Sequence, residues 1–110
     1  TVDRTSEFAH GGGTLVDEAL GSSARRHLIL LHGWGTSRES LRGIGVLFQH
    51  AYTVHLIDLP GFGDAPAPPA DWHTETYADL VGRYLSERLE GPIVLLGHSF
   101  GGRVALRLAA

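Results

Sequence analysis

Cysteine is missing from this 110-residue chain, which removes disulfides, cysteine zinc ligands and thiol catalysis from consideration. Positive charge is scarce as well. Nine Lys and Arg stand against twelve Asp and Glu, a net charge of −3, so no basic face invites nucleic acid or an anionic membrane surface. Long apolar runs are lacking. The strongest, Leu28–Leu31 and Ile93–Leu96, have four residues each, against roughly 20 needed to span a bilayer. There is no internal repeat and no charge block. No histidine pair stands four residues apart beside a carboxylate, so a metal site is not expected. Nucleotide motifs fail too. Gly61-Phe62-Gly63 runs on into Asp64-Ala65-Pro66, and Gly97 to Gly102 has no lysine in P-loop register. No cofactor is expected.

What remains is a chain with 43% hydrophobic and 19% charged residues. That balance fits a soluble globular domain, or part of one, over residues 1–110. A cytoplasmic location is the expectation.

Apolar patterning divides the chain into alternating elements. Thr14–Leu20 reads as a strand that pairs with a short strand around Glu7-Phe8-Ala9 through the glycines at 11–13. His10-Gly11-Gly12-Gly13 imitates an oxyanion motif, but its place before the first strong strand makes it a hairpin turn. His27–Leu31 is a continuous apolar run, as expected of a strand buried on both faces. Thr36 precedes Glu39 at capping-box spacing, and Leu41, Ile44, Leu47 and Phe48 follow at helical spacing. Gly43 and Gly45 weaken that helix by about 1 kcal/mol each, so packing must hold it.

A strand over 52–57 ends at Asp58-Leu59-Pro60-Gly61, and a proline-rich loop follows. Tyr77, Leu80, Val81, Tyr84, Leu85 and Leu89 form one helical stripe, with Thr74 or Thr76 to cap its start and Gly91-Pro92 to end it. A strand at Ile93–Leu96 and a helix carrying Val104, Ala105, Leu108 and Ala109 on one face complete the chain. The alternation predicts an α/β fold, a mostly parallel sheet with helices on both faces. The sites of such sheets lie at the carboxyl ends of the strands. His32-Gly33-Trp34, Asp58-Leu59-Pro60 and Gly97-His98-Ser99 all fall there.

Gly97-His98-Ser99-Phe100-Gly101 sits between an apolar strand and a helix, the context of a nucleophile elbow. A serine hydroxyl is a weak nucleophile and needs exposure, a base and an oxyanion site. Ser99 on a strained turn requires small neighbours, which Gly97 and Gly101 supply. The helix that follows points free N–H groups at the reacting centre. The Phe100 N–H is therefore the first candidate oxyanion donor and the Trp34 N–H the second.

Leu30-Leu31-His32-Gly33-Trp34-Gly35, Asp58-Leu59-Pro60-Gly61-Phe62-Gly63 and Gly97-His98-Ser99-Phe100-Gly101-Gly102 occur in this order, each after an apolar strand. In this the chain resembles the α/β-hydrolase superfamily over residues 14–110, and most closely its small serine members. Family members similar to epoxide hydrolases and haloalkane dehalogenases carry Asp at the nucleophile position, which Ser99 argues against. One departure is Asp64-Ala65-Pro66, where the family often has a small hydroxyl residue.

The resemblance implies a triad in the order Ser, Asp or Glu, His, with acid and base after later strands. The chain is thus expected to be the N-terminal portion of a hydrolase domain acting on a small-molecule carbonyl substrate, an ester or thioester. Alone it is expected to be inactive. The alternative is a truncated or split non-catalytic module that self-associates through an exposed sheet edge. Among the other polar residues, His32 is expected to brace its loop, His98 to point away from Ser99 and His55 to be structural. Asp58 is expected to fix its loop through backbone hydrogen bonds, and Asp64 to be a solvated charge.

Overall fold

The computed structural model describes residues 4–21 and 24–110. Five strands form one sheet: β1 (Thr5–His10), β2 (Gly13–Leu20), β3 (His27–Leu31), β4 (Thr53–Asp58) and β5 (Ile93–Gly97). Their order across the sheet is β1-β2-β4-β3-β5. β1 and β2 form an antiparallel hairpin, and β2 also runs antiparallel to β4. β3 is parallel to both β4 and β5. The expected mostly parallel sheet is therefore a mixed one, with a parallel centre and an antiparallel flank. The hairpin turn is Gly11-Gly12, at φ 64° and 88°. Both signs are those a two-residue hairpin demands, and glycine meets them without Cβ strain.

Alternation along the strands sends side chains to two cores. Leu28 and Leu30 of β3 and Val54 and Leu56 of β4 pack on one face with Leu41. Ile29, Leu31, Ile57 and Leu15 pack on the other, against Tyr77, Leu80, Val81 and Tyr84 of helix α2 (Thr74–Arg88) and Val104 of helix α3 (Phe100–Ala109). Leu80 and Val81 are fully buried, each worth about 2 kcal/mol of hydrophobic stabilisation. The stripe read from the sequence is thus the buried face of α2 as far as Leu85; Leu89, extended at φ −122°, lies just past the helix end.

Helix α1 (Arg42–Phe48) covers the first face, preceded by a 3-10 turn over Arg38–Leu41. It approaches closely because Gly45 has no side chain: a Cβ there would stand 3.1 Å from Val54 Cγ1 and 3.2 Å from Leu56 Cδ2. Three local expectations are corrected. Ser37, not Thr36, caps the first turn, its Oγ accepting from the Glu39 N–H at 3.3 Å. Thr36 instead donates its hydroxyl to Gly33 O at 2.7 Å. Leu47 and Phe48 keep helical spacing yet are exposed, Leu47 at 76%. His73, not Thr74 or Thr76, is the N-cap of α2; both threonines lie in its first turn, where the Thr76 hydroxyl accepts the His73 N–H.

β5 has β3 as its one partner among the described residues. Ile93 and Val94 on that edge are 36% and 44% exposed. No helix among the described residues is long and apolar enough to cross a membrane.

Candidate active site

The carboxyl ends of β3, β4 and β5 carry three loops that meet. The β5–α3 junction is built by close backbone packing. A Cβ on Gly97 would lie 2.3 Å from Gly101 O, and one on Gly101 would lie 2.0 Å from Leu31 O. Real Cβ atoms essentially never come within 3.0 Å of such atoms, so both positions demand glycine. The His98 N–H donates to Leu31 O at 3.0 Å and the Gly101 N–H to His98 O at 3.0 Å, which fastens the turn to β3.

Between them Ser99 takes φ 56°, ψ −116°, and it is the one non-glycine residue at positive φ among those described. Such a conformation costs about 1–3 kcal/mol and persists only where the surroundings enforce it. Ser99 is exposed, and its hydroxyl does not cap α3.

The loop after β3 lies against this turn. A Cβ on Gly33 would be 3.4 Å from Ser99 Cβ and 3.3 Å from His98 Nδ1. The His32-Gly33-Trp34 loop and the Ser99 turn are thus brought together. Among the described residues neither the Trp34 nor the Phe100 backbone N–H has a backbone acceptor. The Trp34 ring is 61% exposed and meets Phe62 and Phe100 edge-on, at centroid distances of 4.8 and 5.2 Å. Trp34, Phe62, Trp72 and Tyr77 line an open cleft beside the turn. Burial raises the Tyr77 phenol above its ordinary pKa.

His32 is fully buried and ties two loops together. Its Nδ1–H donates to Gly33 O at 2.8 Å, and its Nε2 accepts the Leu59 N–H at 3.0 Å. Acceptance at Nε2 needs the neutral ring, and burial, outweighing the Gly33 bond, pushes its pKa below the usual histidine value. His32 is therefore a brace, as the sequence suggested.

Asp58 is fully buried and does more than hold its own loop. Its Oδ1 accepts the Arg38 N–H at 2.7 Å, its Oδ2 accepts the Asp64 N–H at 3.0 Å, and the Arg38 guanidinium pairs with the same carboxylate. Gly63, at φ 56°, lies under it, where a Cβ would fall 2.3 Å from Asp58 Oδ2. Asp64 is exposed but not a free solvated charge, since Arg38 Nη1 reaches it at 3.0 Å. Arg38 also bonds Glu18 at 2.8 Å, and Arg42 bonds Glu18 at 2.6 Å. The Arg42 hydrogen bond, opposed by burial and aided by Arg38, holds the Glu18 carboxyl down at about 2.

Arg38 joins the loops after β3 and β4 to β2, and the sequence reading missed it. An arginine in a connecting loop carries no periodic signal; only the carboxylate-rich surroundings of the fold reveal it. His98 is exposed. Among the described residues no imidazole hydrogen-bonds to the Ser99 hydroxyl.

This strand order, with a positive-φ serine between a strand and a helix, is the arrangement of α/β-hydrolases. Residues 26–110 match the model of the alpha/beta hydrolase fold family, and the chain belongs to that family. Among curated relatives, the pimeloyl-[acyl-carrier protein] methyl ester esterase of Aeromonas hydrophila is 42% identical over 83 residues, covering 74% of this chain and 31% of the relative. That of Proteus mirabilis is 39% identical over 85 residues. The chain thus spans about a third of the length of these relatives. Among solved structures, a haloalkane dehalogenase variant from Bradyrhizobium elkanii superposes with TM-score 0.86 at 26% identity, covering 98% of this chain and 36% of that one.

Proposed function

We propose that this chain is the nucleophile-bearing part of a serine hydrolase that cleaves carboxylic esters. The observation that carries the reading is Ser99. It is an exposed hydroxyl held at positive φ by two glycines that tolerate no side chain, at the carboxyl edge of the sheet. The esterase names of the relatives favour an ester, with a thioester as the neighbouring possibility.

In this reading Ser99 Oγ attacks the substrate carbonyl carbon, and its proton passes to a histidine. The carbonyl electrons move onto oxygen, which the Trp34 and Phe100 N–H groups receive. Collapse expels the alcohol, which takes the proton, and water then releases the acid by the same route. Each oxyanion donor is worth about 3–4 kcal/mol in the transition state.

No imidazole among the described residues hydrogen-bonds to Ser99, and this chain covers only 31% of its esterase relatives, so the proposal draws the base and its carboxylate partner from the part of the fold that those relatives have in addition. Loss of triad members costs up to about 10⁶ in turnover, and the 110-residue chain alone is expected to show no useful esterase activity. Hydrolysis of p-nitrophenyl butyrate by this chain joined to the remaining two thirds of an esterase relative tests this. Abolition by Ser99→Ala supports the reading, and unchanged turnover in that variant refutes it.

The open β5 edge favours a second reading, a module that pairs with another copy of itself along Ile93–Gly97. Sedimentation of the chain as a folded monomer would exclude it.

A further inference from the structure

Away from Ser99, four polar side chains meet between the sheet and α2. Asp17 of β2 and His55 of β4 are buried polar residues, and Tyr84 of α2 is fully buried beside them. His55 Nδ1 lies 3.2 Å from both Asp17 carboxylate oxygens and 3.3 Å from the Tyr84 hydroxyl. That hydroxyl itself donates to Asp17 Oδ2. On the other side His55 Nε2 lies 2.9 Å from Nδ1 of His27, the first residue of β3. His27 Nε2 in turn lies 2.9 Å from the Glu90 carbonyl oxygen, in the α2–β5 connection.

The protons in this chain can be counted. The Glu90 carbonyl only accepts, so His27 Nε2 carries a hydrogen. Ionised Asp17 only accepts, so His55 Nδ1 carries one. The two nitrogens that face each other at 2.9 Å need one hydrogen between them. Two neutral imidazoles supply two ring hydrogens and the geometry uses three. With all of these contacts made, the pair would carry one positive charge, which Asp17 would balance. With only two hydrogens, two lone pairs oppose each other; with four, two N–H groups collide.

We propose that Asp17, His55 and His27 form a proton-operated latch. It is closed when the imidazole pair holds three ring hydrogens and open when it holds two. Closed, it ties the start of β3 and the α2–β5 connection to β2 and β4. Backbone bonds at this end of β3 and β4 include the His27 N–H to Pro92 O and the Thr53 N–H to Arg26 O, both 2.9 Å.

The other charged groups around it are few. Arg88 of α2 stands over the Phe8 ring of β1 and acts on Tyr84 electrostatically. Burial, then the Asp17 charge, holds the Tyr84 phenol far above its ordinary pKa, so it stays a donor. Arg26, next to His27, is directed over the Tyr52 ring and to Ala51 O. Glu18, the neighbour of Asp17, is engaged by Arg38 and Arg42. Imidazole is the side chain whose charge ordinarily changes between pH 5 and 8, so that range is the one in which to follow the ring hydrogens.

Nitrogen-15 NMR of the histidine rings in the folded chain tests the count. From pH 8 to pH 5 the His27–His55 pair should gain one ring hydrogen in total, going from two to three. A pair that stays at two, or reaches four while the chain is folded, overturns the proposal. Amide exchange is the second readout. After correction for intrinsic pH dependence, protection at His27 and Thr53 should rise about tenfold as the latch closes. In His27→Gln that step should vanish; its survival there would equally overturn the proposal.

Discussion

Replacing Gly101 by alanine tests the physical basis of the Ser99 turn. The added Cβ would stand 2.0 Å from Leu31 O, 2.5 Å from Leu31 C and 2.6 Å from His32 O. These are backbone atoms of β3 and its loop, not ends of flexible side chains, so relief requires the helix and strand to part. Leu31 O is also the acceptor of the His98 N–H, and that bond is lost when they part. Overpacking of this kind costs about 1–3 kcal/mol and the hydrogen bond about 1 kcal/mol more, so about 3 kcal/mol is expected. At a urea slope of about 1–3 kcal/mol per molar, the unfolding midpoint should fall by about 1–3 M. Gly43→Ala is the matched control. Gly43 is exposed inside α1 with nothing within 4 Å of the new Cβ, and alanine there should raise stability by about 0.5–1 kcal/mol. Opposite shifts of the two midpoints are the expected result. A Gly101→Ala midpoint equal to that of the parent chain would refute the reasoning.

Three further outcomes are expected. Ser99→Gly removes the Cβ from its positive φ and should be about 1 kcal/mol more stable than Ser99→Ala in urea melts, because alanine keeps the strain. Asp58→Ala should cost about 3 kcal/mol by thermal or urea unfolding, since it leaves two loop N–H groups without their acceptor and takes from the Arg38 guanidinium its buried partner, leaving it Glu18 and Asp64. Acid should unfold the chain in two stages, followed by circular dichroism. The His32 ring is held neutral, so its contribution is full above the ordinary value of 6.5 and is lost as pH falls below it. Glu18 contributes above its ordinary 4.5 and loses that contribution as pH falls towards about 2. After screening at its partly exposed site this is about 1 kcal/mol, and Glu18→Gln should remove the second stage only.

Much of this architecture was legible in the residues. His27–Leu31 and Ile93–Leu96 are short apolar runs with turn residues beyond them, and both are strands at the places expected. The α2 stripe and the Gly11-Gly12 turn were equally plain, because periodicity and glycine conformational freedom are local properties. A strained turn at Ser99 was expected from its motif between strand and helix, with Gly97 and Gly101 to tolerate it, and the strain is a positive φ. Less legible was whatever depends on which elements meet. Leu47 keeps helical spacing but faces outward, because α1 lies on the sheet through Gly45 and Leu41. Arg38 gathers Asp58, Asp64 and Glu18 from three separate stretches. His55 was read as structural, but its partners Asp17, Tyr84 and His27 lie 38, 29 and 28 residues away. A polar residue at an inward strand position was the only hint of that cluster.

The central claim is that Ser99 is an activated nucleophile. A fluorophosphonate probe offered to this chain joined to the remaining two thirds of an esterase relative, followed by peptide mass spectrometry, tests it most directly. The account predicts one adduct, on the peptide containing Ser99, absent from Ser99→Ala. A folded protein that shows no adduct, or carries it on another residue, would contradict it.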